Sequence, residues 1–263
     1  MDFKCHNNIL IFARFFRSMK TFVKRILQSL LGFETYLYVF AKYIIATLKF
    51  NRREKDFLHF ISLLPPKGIV LDIGANIGAM TTHLTRRLKE ASVYAFEPAP
   101  CNLRTLKKIV RHYKLNNVSI MEMALGNSTG KTDMIVPEEK KIRMHGLSHI
   151  IKDNQKDDEP GEHFTAEMTT LDNIRAFKNG APVTGIKLDV EDYEYFVLDG
   201  GRDLITKHHP IIYAELWNSE NRNKCFELLT SLGYSILILN KNKLLPFDPV
   251  KHTTQNFFFI PHS

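Results

Sequence analysis

Short apolar segments alternate with helical segments from residue 68 onward, and this alternation constrains the fold more than any other feature. Gly68–Gly74 (GIVLDIG) is a mainly apolar run, typical of a strand that is buried on both faces. The stretch 77–88 that follows has the apolar spacing of a helix. Repetition of this unit predicts an α/β fold, in which helices cover both faces of a mostly parallel sheet.

The same patterns predict the other elements. Six further main strands are expected at 92–98, 118–125, 183–191, 210–217, 235–240 and 256–261, with additional strands at 131–137 and 164–170. Further helices are expected at 100–113, 195–207 and 220–232. No helix fits between the last two strands, so one strand of the seven-stranded sheet should be antiparallel. Polar stretches around 138–165 and 240–255 are expected as loops.

The chain divides at Pro65-Pro66 into a helical extension, residues 1–64, and an α/β domain, residues 65–263. Residues 1–67 carry 12 Lys and Arg against 4 Asp and Glu, a net charge equal to the +8 of the whole chain. The domain itself is therefore neutral, which argues against a nucleic-acid groove. The excess charge instead favours contact of the extension with anionic headgroups or an acidic partner.

The extension contains a basic amphipathic helix with apolar residues three and four positions apart. These residues are Phe12, Phe15, Phe16, Met19, Phe22, Val23, Ile26, Leu27 and Leu30. Two interpretations stay open: residues 9–30 bind an anionic membrane surface, or the apolar stripe packs on the domain or on residues 36–48. We predict neither a signal peptide nor a transmembrane helix, since the best candidate, 33–48, is short and contains Glu34 and Lys42. The three cysteines form no CxxC pair, and we expect a cytoplasmic protein, peripheral at the inner membrane surface if the helix binds lipid.

A glycine-containing turn follows the first strand, at the edge of the sheet where ligands of such folds bind. Gly74 and Gly78 allow a close backbone approach to a ligand at a helix N-terminus. Asn76 replaces the second glycine of GxGxxG, which weakens the case for a nicotinamide cofactor. Glu97 ends the second strand, where a carboxylate can accept both ribose hydroxyls of a nucleoside. Asp72 is expected either to orient an amino group of the ligand or to cap backbone donors.

The fourth main strand ends in a charged sequence. Strand alternation places Lys187, Asp189 and Glu191 on one face, with Leu188 and Val190 towards the core. Charges in a buried sheet are costly unless they are paired or functional. A Lys187–Asp189 salt bridge and a catalytic site are both compatible with this pattern.

Six segments in order carry a resemblance to a known family. They are LDIGANIG (71–78), YAFEP (94–98), ALGN (124–127), TTLD (169–172), IKLDVEDYE (186–194) and IIYAELW (211–217). Over residues 68–234 the chain resembles the FkbM-type methyltransferases. The resemblance implies a Rossmann-like class I methyltransferase fold and transfer of a methyl group from S-adenosylmethionine to a hydroxyl oxygen.

The resemblance also implies positions for the cofactor. Asp72, Gly74, Asn76 and Gly78 would surround its methionine part, Glu97 would bind the ribose, and Met123, Ala124 and Leu125 would lie near the adenine. The family usually has Gly at the position of Asp192, so this side chain is expected to narrow the acceptor pocket or alter the choice of substrate.

A hydroxyl needs to lose its proton, so we expect a general base. Asp189 is the first choice and Glu191 the second, with Lys187 orienting them. Alternatives are a divalent cation held by Asp189, Glu191 and Glu194, or a histidine base, His145 or His149. Trp217 and Glu215 are expected either to line the acceptor pocket or, for Trp217, to pack in the core.

The predicted function is therefore S-adenosylmethionine-dependent O-methylation of a glycan, a lipid-linked glycan or a similar small-molecule natural product, without a metal. The alternative is a non-catalytic nucleotide-binding or scaffolding protein that retains the fold.

Overall fold

A computed structural model describes residues 24, 26–139, 142–151, 160–178 and 180–262. Its strands are β1 (Lys67–Ile73), β2 (Glu90–Phe96), β3 (Val118–Met121), β4 (Ala124–Leu125), β5 (Gly130–Glu139), β6 (Ile142–Arg143), β7 (His149–Ile150), β8 (Gly161–Thr169), β9 (Val183–Leu188), β10 (Ile211–Glu215), β11 (Tyr234–Asn240), β12 (Lys243–Pro246) and β13 (Asn256–Pro261). Its α-helices are α1 (Phe33–Thr47), α2 (Lys55–Leu63), α3 (Ala79–Arg87), α4 (Pro100–Tyr113), α5 (Arg175–Lys178), α6 (Glu194–Asp199), α7 (Arg202–His208) and α8 (Glu220–Ser231).

The main sheet has the order β12-β11-β13-β10-β9-β1-β2-β3. Strands β3, β2, β1, β9 and β10 pair in parallel, and β13 is antiparallel to both of its neighbours. The strand order reverses between β1 and β9, which places a ligand site at the carboxyl ends of these two strands. The predicted α/β fold with one antiparallel strand among the seven main strands is confirmed.

The sheet has eight strands rather than seven, because β12 lies in the segment that we expected to be a loop. It pairs with β11 as a hairpin whose two connecting residues, Lys241 and Asn242, have φ of 46° and 66°. Left-handed conformations at both positions are those of the tight turn that matches strand twist. The turn contains no glycine, so its sequence gave no signal for a hairpin.

Helices cover both faces of the sheet, as the strand pattern requires. On one face α5 to α8 bury Phe177, Val197, Leu204 and Leu228 against alternate residues of β1 and β9. On the other face α2 and α3 bury Phe57, Phe60 and Leu84 against Val70, Val93 and Tyr213, and α4 packs through Leu106. In β1, Leu71 points into one of these cores and Val70 into the other. Both faces of β1 are therefore buried, which explains why its sequence is a continuous apolar run.

A second sheet, ordered β4-β8-β5-β6 with β7 paired to β5, lies beside the carboxyl ends of β1 and β2. Strands β5 and β8 pair antiparallel from Gly130–Met168 to Pro137–Gly161. The two additional strands that we predicted are therefore neighbours in the second sheet. This sheet supplies one wall of the cleft described below.

The helical extension shares its core with the domain. Helix α1 buries Tyr36, Leu37, Ala41 and Ile45 in a cluster with residues of α4, and Glu34 forms salt bridges with Arg104 and Lys108 of α4 at 2.6 and 3.2 Å. Residues 12–23 of the predicted amphipathic stripe lie outside the described residues, and its remaining members Ile26, Leu27 and Leu30 are exposed. None of the helices in the described ranges is long and apolar enough to cross a membrane.

Candidate active site

The turn after β1 brings the carboxyl ends of β1, β2 and β9 together. Gly74 has φ 76°, and a Cβ atom there would lie 1.8 Å from the carbonyl oxygen of Asp189. Gly74 and Ala75 donate backbone hydrogen bonds to the Phe96 carbonyl at 3.1 and 2.9 Å. Glycine is therefore needed at position 74 because the backbones of β1 and β9 meet there.

Two of the residues that we expected around the cofactor have structural roles. Gly78 has φ 82°, and a Cβ atom there would meet the Leu106 side chain of α4 at 2.6 Å, so this glycine allows the two helices to pack. Asp72 is fully buried and accepts a hydrogen bond from the Thr81 hydroxyl at 2.6 Å. Neither residue lines the cleft, so their placement near the ligand stays a prediction.

The cleft at this edge of the sheet is open to solvent, and the cleft together with its mouth encloses about 610 Å³. Its lining includes Gly74, Asn76, Glu97, Met123, Ala124, Leu125, His145, Asp189 and Glu191, all named from the sequence. Asn102, Met134, Ile150 and Tyr193 also line it and were not predicted.

Glu97 closes what we call the glycine-turn end of the cleft, formed by Gly74, Asn76 and Glu97. Its Oε2 accepts the Asn76 backbone N–H at 2.8 Å, and its Oε1 accepts the Ala99 backbone N–H at 2.9 Å and the Asn102 amide at 3.3 Å. Burial raises the pKa of Glu97 to about 7 despite these three donors. A carboxylate offers about four acceptor positions, so Oε2 retains one for a ligand hydroxyl.

Apolar side chains form the wall beside this end. Met123 follows β3 of the first sheet, whereas Ala124 and Leu125 (β4), Met134 (β5) and Ile150 (β7) belong to the second sheet. A flat apolar slot next to a buried carboxylate suits a purine base attached to a ribose.

Lys187 lies beneath the other end of the cleft. Its ammonium donates to the Gly74 carbonyl at 2.8 Å and lies 3.5 Å from Asp72 Oδ1 and 3.6 Å from Asp189 Oδ2. Burial lowers the pKa of Lys187, but the charges of Asp189 and Asp72 outweigh it and raise the pKa above its usual value. The side chain is buried and does not line the cleft, whereas the Asp189 carboxylate is 33% exposed and does. The salt-bridge interpretation of the charged strand end therefore applies, and this pair holds the Asp189 carboxylate in the cleft.

The strand alternation that we expected ends at Asp189. Glu191 and Asp192 have φ of 55° and 67°, so the backbone turns left-handed there, and Val190 both packs against the core and lines the cleft. The Asp192 carboxylate accepts a hydrogen bond from the Ser219 hydroxyl before α8 and is not among the lining residues. Asp192 therefore does not narrow the cleft as expected.

Four carboxyl groups, which we call the acidic end, influence one another through their charges: Asp189 and Glu191 line the cleft, whereas Glu215 and Glu54 do not. Burial, and then the charges of Asp189 and Glu215, raise the pKa of Glu191 to about 8. Burial and Asp189 raise the pKa of Glu215 to about 7. Glu54 belongs to the extension and was not predicted; burial and the charge of Asp189 raise its pKa as well.

A metal site is not supported by this arrangement. Glu194 is buried and accepts the Val190 backbone N–H at 2.9 Å, so its carboxylate closes the turn before α6. Among the residues that the structure describes, no group of three or more His, Cys, Asp or Glu side chains could hold a metal ion. In this conformation Asp189, Glu191 and Glu194 do not form such a group, and the cation alternative stays a prediction.

The remaining candidates divide between the cleft and its surroundings. His145 lines the cleft and is buried, and burial together with the charge of Lys24 lowers its pKa to about 4. His149 lies in β7 outside the lining, with Nδ1 at 2.9 Å from the Leu147 carbonyl. Trp217 follows β10 and is 45% exposed, so it does not pack in the core, and it does not line the cleft.

The sheet order, the glycine turn and the acidic residue at the end of β2 define a class I methyltransferase. The methyltransferase FkbM domain model matches residues 72–236, and the chain belongs to this family. It is a methyltransferase, and S-adenosylmethionine is its methyl donor.

Individual relatives support this assignment. Methyltransferase sdnD of Sordaria araneosa is 27% identical over 204 residues, which cover 69% of this chain and 79% of that protein. Methyltransferase 1 of Beauveria bassiana (strain ARSEF 2860) is 22% identical over 70% of this chain and 78% of that protein. The crystal structure of methyltransferase FkbM from Methylobacillus flagellatus KT has a TM-score of 0.51 at 18% identity, which shows a shared fold. That match covers 75% of this chain but only 45% of the solved chain.

Proposed function

We propose that this protein methylates a hydroxyl oxygen of a glycan, a lipid-linked glycan or a similar hydroxylated natural product. The observation that carries the proposal is the position of Asp189. Its partly exposed carboxylate shares one cleft with the glycine turn, and the buried Lys187 ammonium holds it there. A carboxylate in this position is suited to remove a proton from an alcohol.

The residues of the cleft fit the methyl donor. Backbone groups at Gly74 and the side chain of Asn76 would hold its methionine part, the free acceptor position of Glu97 its ribose, and Met123, Ala124 and Leu125 its adenine. When bound, S-adenosylmethionine supplies a methyl group on a positively charged sulfur, which is already electrophilic.

The protein's contribution is then placement and proton removal. Orientation of the acceptor oxygen can supply about 7–11 kcal/mol, and a general base a further factor of about 10²–10⁴. Asp189 accepts the hydroxyl proton, and the Lys187 ammonium fixes the position of this carboxylate. Glu191, with a pKa of about 8, is mostly neutral at pH 7 and is the weaker candidate for the base. Glu215 acts on Glu191 through its charge, which helps to raise the pKa of Glu191.

The test of the base is Asp189→Asn with Glu122→Gln as the matched control, an exposed carboxyl paired with Lys107. Formation of S-adenosylhomocysteine is measured with monosaccharides, oligosaccharides and lipid-linked glycans. We expect at least a hundredfold loss of transfer with cofactor affinity retained. Near-normal transfer would rule out Asp189 as the base. Cofactor binding by the native protein without transfer to any hydroxylated acceptor would favour the non-catalytic alternative.

The cofactor contacts are tested by calorimetry with S-adenosylmethionine, S-adenosylhomocysteine and NADH. We expect the first two to bind and NADH not to bind, and Glu97→Ala to weaken binding about a hundredfold, because it removes a buried charged acceptor. Unchanged affinity in Glu97→Ala would show that the ribose lies elsewhere.

We propose in addition that the extension contacts an anionic membrane surface. Beside the exposed residues of the predicted 9–30 segment, the outer face of α1 and the turn after it exposes Val39, Tyr43 and Phe50 by 51%, 61% and 76%. The Lys49 ammonium lies 4.9 Å from the Phe50 ring, and Arg52 and Arg53 are exposed next to it. Apolar side chains surrounded by cations are typical of interfacial lipid binding.

Sedimentation with neutral and anionic vesicles tests this surface. The triple variant Val39→Ser, Tyr43→Ser, Phe50→Ser should lose most binding to anionic vesicles, whereas Val250→Ser, an exposed apolar residue far along the chain, should not. Binding that is equal for both vesicle types, or unchanged in the triple variant, would remove this surface from the proposal.

A further inference from the structure

Four polar residues from four separate segments form a closed ring of hydrogen bonds at the glycine-turn end. The Asn76 backbone N–H donates to Glu97 Oε2 at 2.8 Å, and the Asn102 amide donates to Glu97 Oε1 at 3.3 Å. The same Asn102 amide donates to the His145 carbonyl at 3.0 Å, and His145 Nδ1 lies 3.3 Å from Asn76 Oδ1. The ring joins the turn after β1, the end of β2, helix α4 and the 3-10 helix His145–Leu147.

The segment that carries His145 covers the cleft. Residues 142–151 form β6, the 3-10 helix and β7, and both strands pair with β5 of the second sheet. His145, Gly146, Ser148 and Ile150 of this segment all line the cleft. This segment, which we call the cover, thus belongs to the second sheet. Through His145 it contacts Asn76 and Asn102 at the glycine-turn end.

The imidazole is held from both sides. The imidazole packs edge-on against the Phe40 ring of α1, with 5.8 Å between the two ring centroids. The extension therefore packs directly against one member of the hydrogen-bonded group. The side-chain oxygen of Asn76 can only accept a hydrogen bond. Nδ1 of the neutral imidazole therefore carries the hydrogen and donates this bond. This bond supports Asn76, whose backbone has φ 50° and whose N–H in turn supports Glu97.

We propose that His145 is a positioning residue for the cofactor: through its imidazole on Asn76 and its backbone carbonyl on Asn102 it holds the Glu97 carboxylate ready for the ribose. This inference rests on the proposed assignment of Glu97 to the ribose. It gives His145 a role other than that of the general base.

The experiment is a double-mutant cycle of His145→Ala and Asn102→Ala, with affinity for S-adenosylhomocysteine measured by calorimetry. Each single variant should weaken binding about tenfold, the usual effect of losing one hydrogen bond near a charged group. The double variant should be weakened by much less than the product of the two effects, because both break the same ring. His145→Asn, which keeps a short donor at this position, should restore part of the affinity.

His149→Ala is the matched control, since it changes a histidine of the same cover that does not line the cleft, and it should bind normally. Independent, multiplicative losses or an unchanged affinity in His145→Ala would overturn the inference. Thermal unfolding without ligand identifies a variant that fails to fold, and His145→Asn then decides the outcome. If Glu97→Ala also binds normally, the assignment of the ribose has failed; if only Glu97→Ala loses binding, the role of His145 alone has failed.

Discussion

The two ends of the cleft bury carboxyl groups in opposite ways. At the glycine-turn end, Glu97 accepts two backbone N–H groups and one side-chain amide, which favour its charged form against burial. At the acidic end, Glu191 is half-buried and faces the like charges of Asp189, Glu215 and Glu194, all of which raise its pKa. The first arrangement fixes a carboxylate as an acceptor for a bound ligand. The second arrangement keeps carboxyl groups of raised pKa beside the Asp189 carboxylate, where an acceptor hydroxyl would have to be deprotonated.

Gly74 lies at the junction of the two ends, and Gly74→Ala should have the largest effect. Alanine is strained at the left-handed φ of this position. Its Cβ atom would also lie 1.8 Å from the Asp189 carbonyl oxygen. We expect a loss of more than about 4 kcal/mol in the free energy of unfolding. Gly233→Ala is the control, because Gly233 has φ 83° with nothing within 4 Å of its Cβ position, and it should lose only about 1 kcal/mol. Equal losses in chemical denaturation would contradict the close approach of β1 and β9.

Lys187→Met should have the next largest effect, since it leaves Asp72 and Asp189 without their shared ammonium. Breaking a buried ion pair by removing one partner costs about 3 kcal/mol, because the remaining charge is uncompensated. Lys131→Met removes an exposed pair with Glu167 at 3.8 Å and should cost less than about 1 kcal/mol. Adding Asp72→Asn to Lys187→Met should recover part of the loss; no recovery would show that the ammonium does not stabilise this carboxylate.

The acidic end should also make stability depend on pH. The pKa of Glu191 in the folded protein is raised to about 8 from an ordinary value of 4.5. Between these values the unfolded chain loses its proton while the folded protein keeps it, so stability falls as the pH rises from about 5 to 8. Glu191→Gln should remove this term and raise stability at pH 8 by about 1–3 kcal/mol relative to pH 5. Thermal unfolding at both pH values checks it, with Glu167→Gln as an exposed control; a steeper loss in Glu191→Gln would be inconsistent with a buried neutral carboxyl.

The sequence predicts the glycine-turn end better than the acidic end, for a physical reason. Gly74 and Glu97 follow directly from strands that apolar periodicity identifies, and such ends of neighbouring parallel strands must meet. The same reasoning does not reveal that Gly78 packs on Leu106 or that Asp72 pairs with Lys187, because both are tertiary contacts. The eighth strand was missed because its turn contains no glycine.

Glu54 is a residue of the acidic end that local sequence patterns could not predict. It lies in the extension, 135 positions before Asp189, and arrives at the acidic end because the following helix α2 packs Phe57 and Phe60 against Tyr213 of β10. No spacing in the sequence connects these segments. Asn102, by contrast, had a usable signal, since it lies in the first turn of the helix that follows Glu97.

Glu54→Gln is the smallest of these changes and tests whether the extension helps to build the acidic end. Its charge contributes to the raised pKa of Glu215, so the variant should lower that pKa by a few tenths of a unit. Carboxyl NMR titration measures the shift, and cofactor affinity should stay constant because Glu54 does not line the glycine-turn end. Glu34→Gln, in the same extension but paired with Arg104 and Lys108 of α4, should leave Glu215 unchanged. If both variants moved Glu215 equally, the effect would be a general change of net charge, and the extension would have no specific place in the acceptor site.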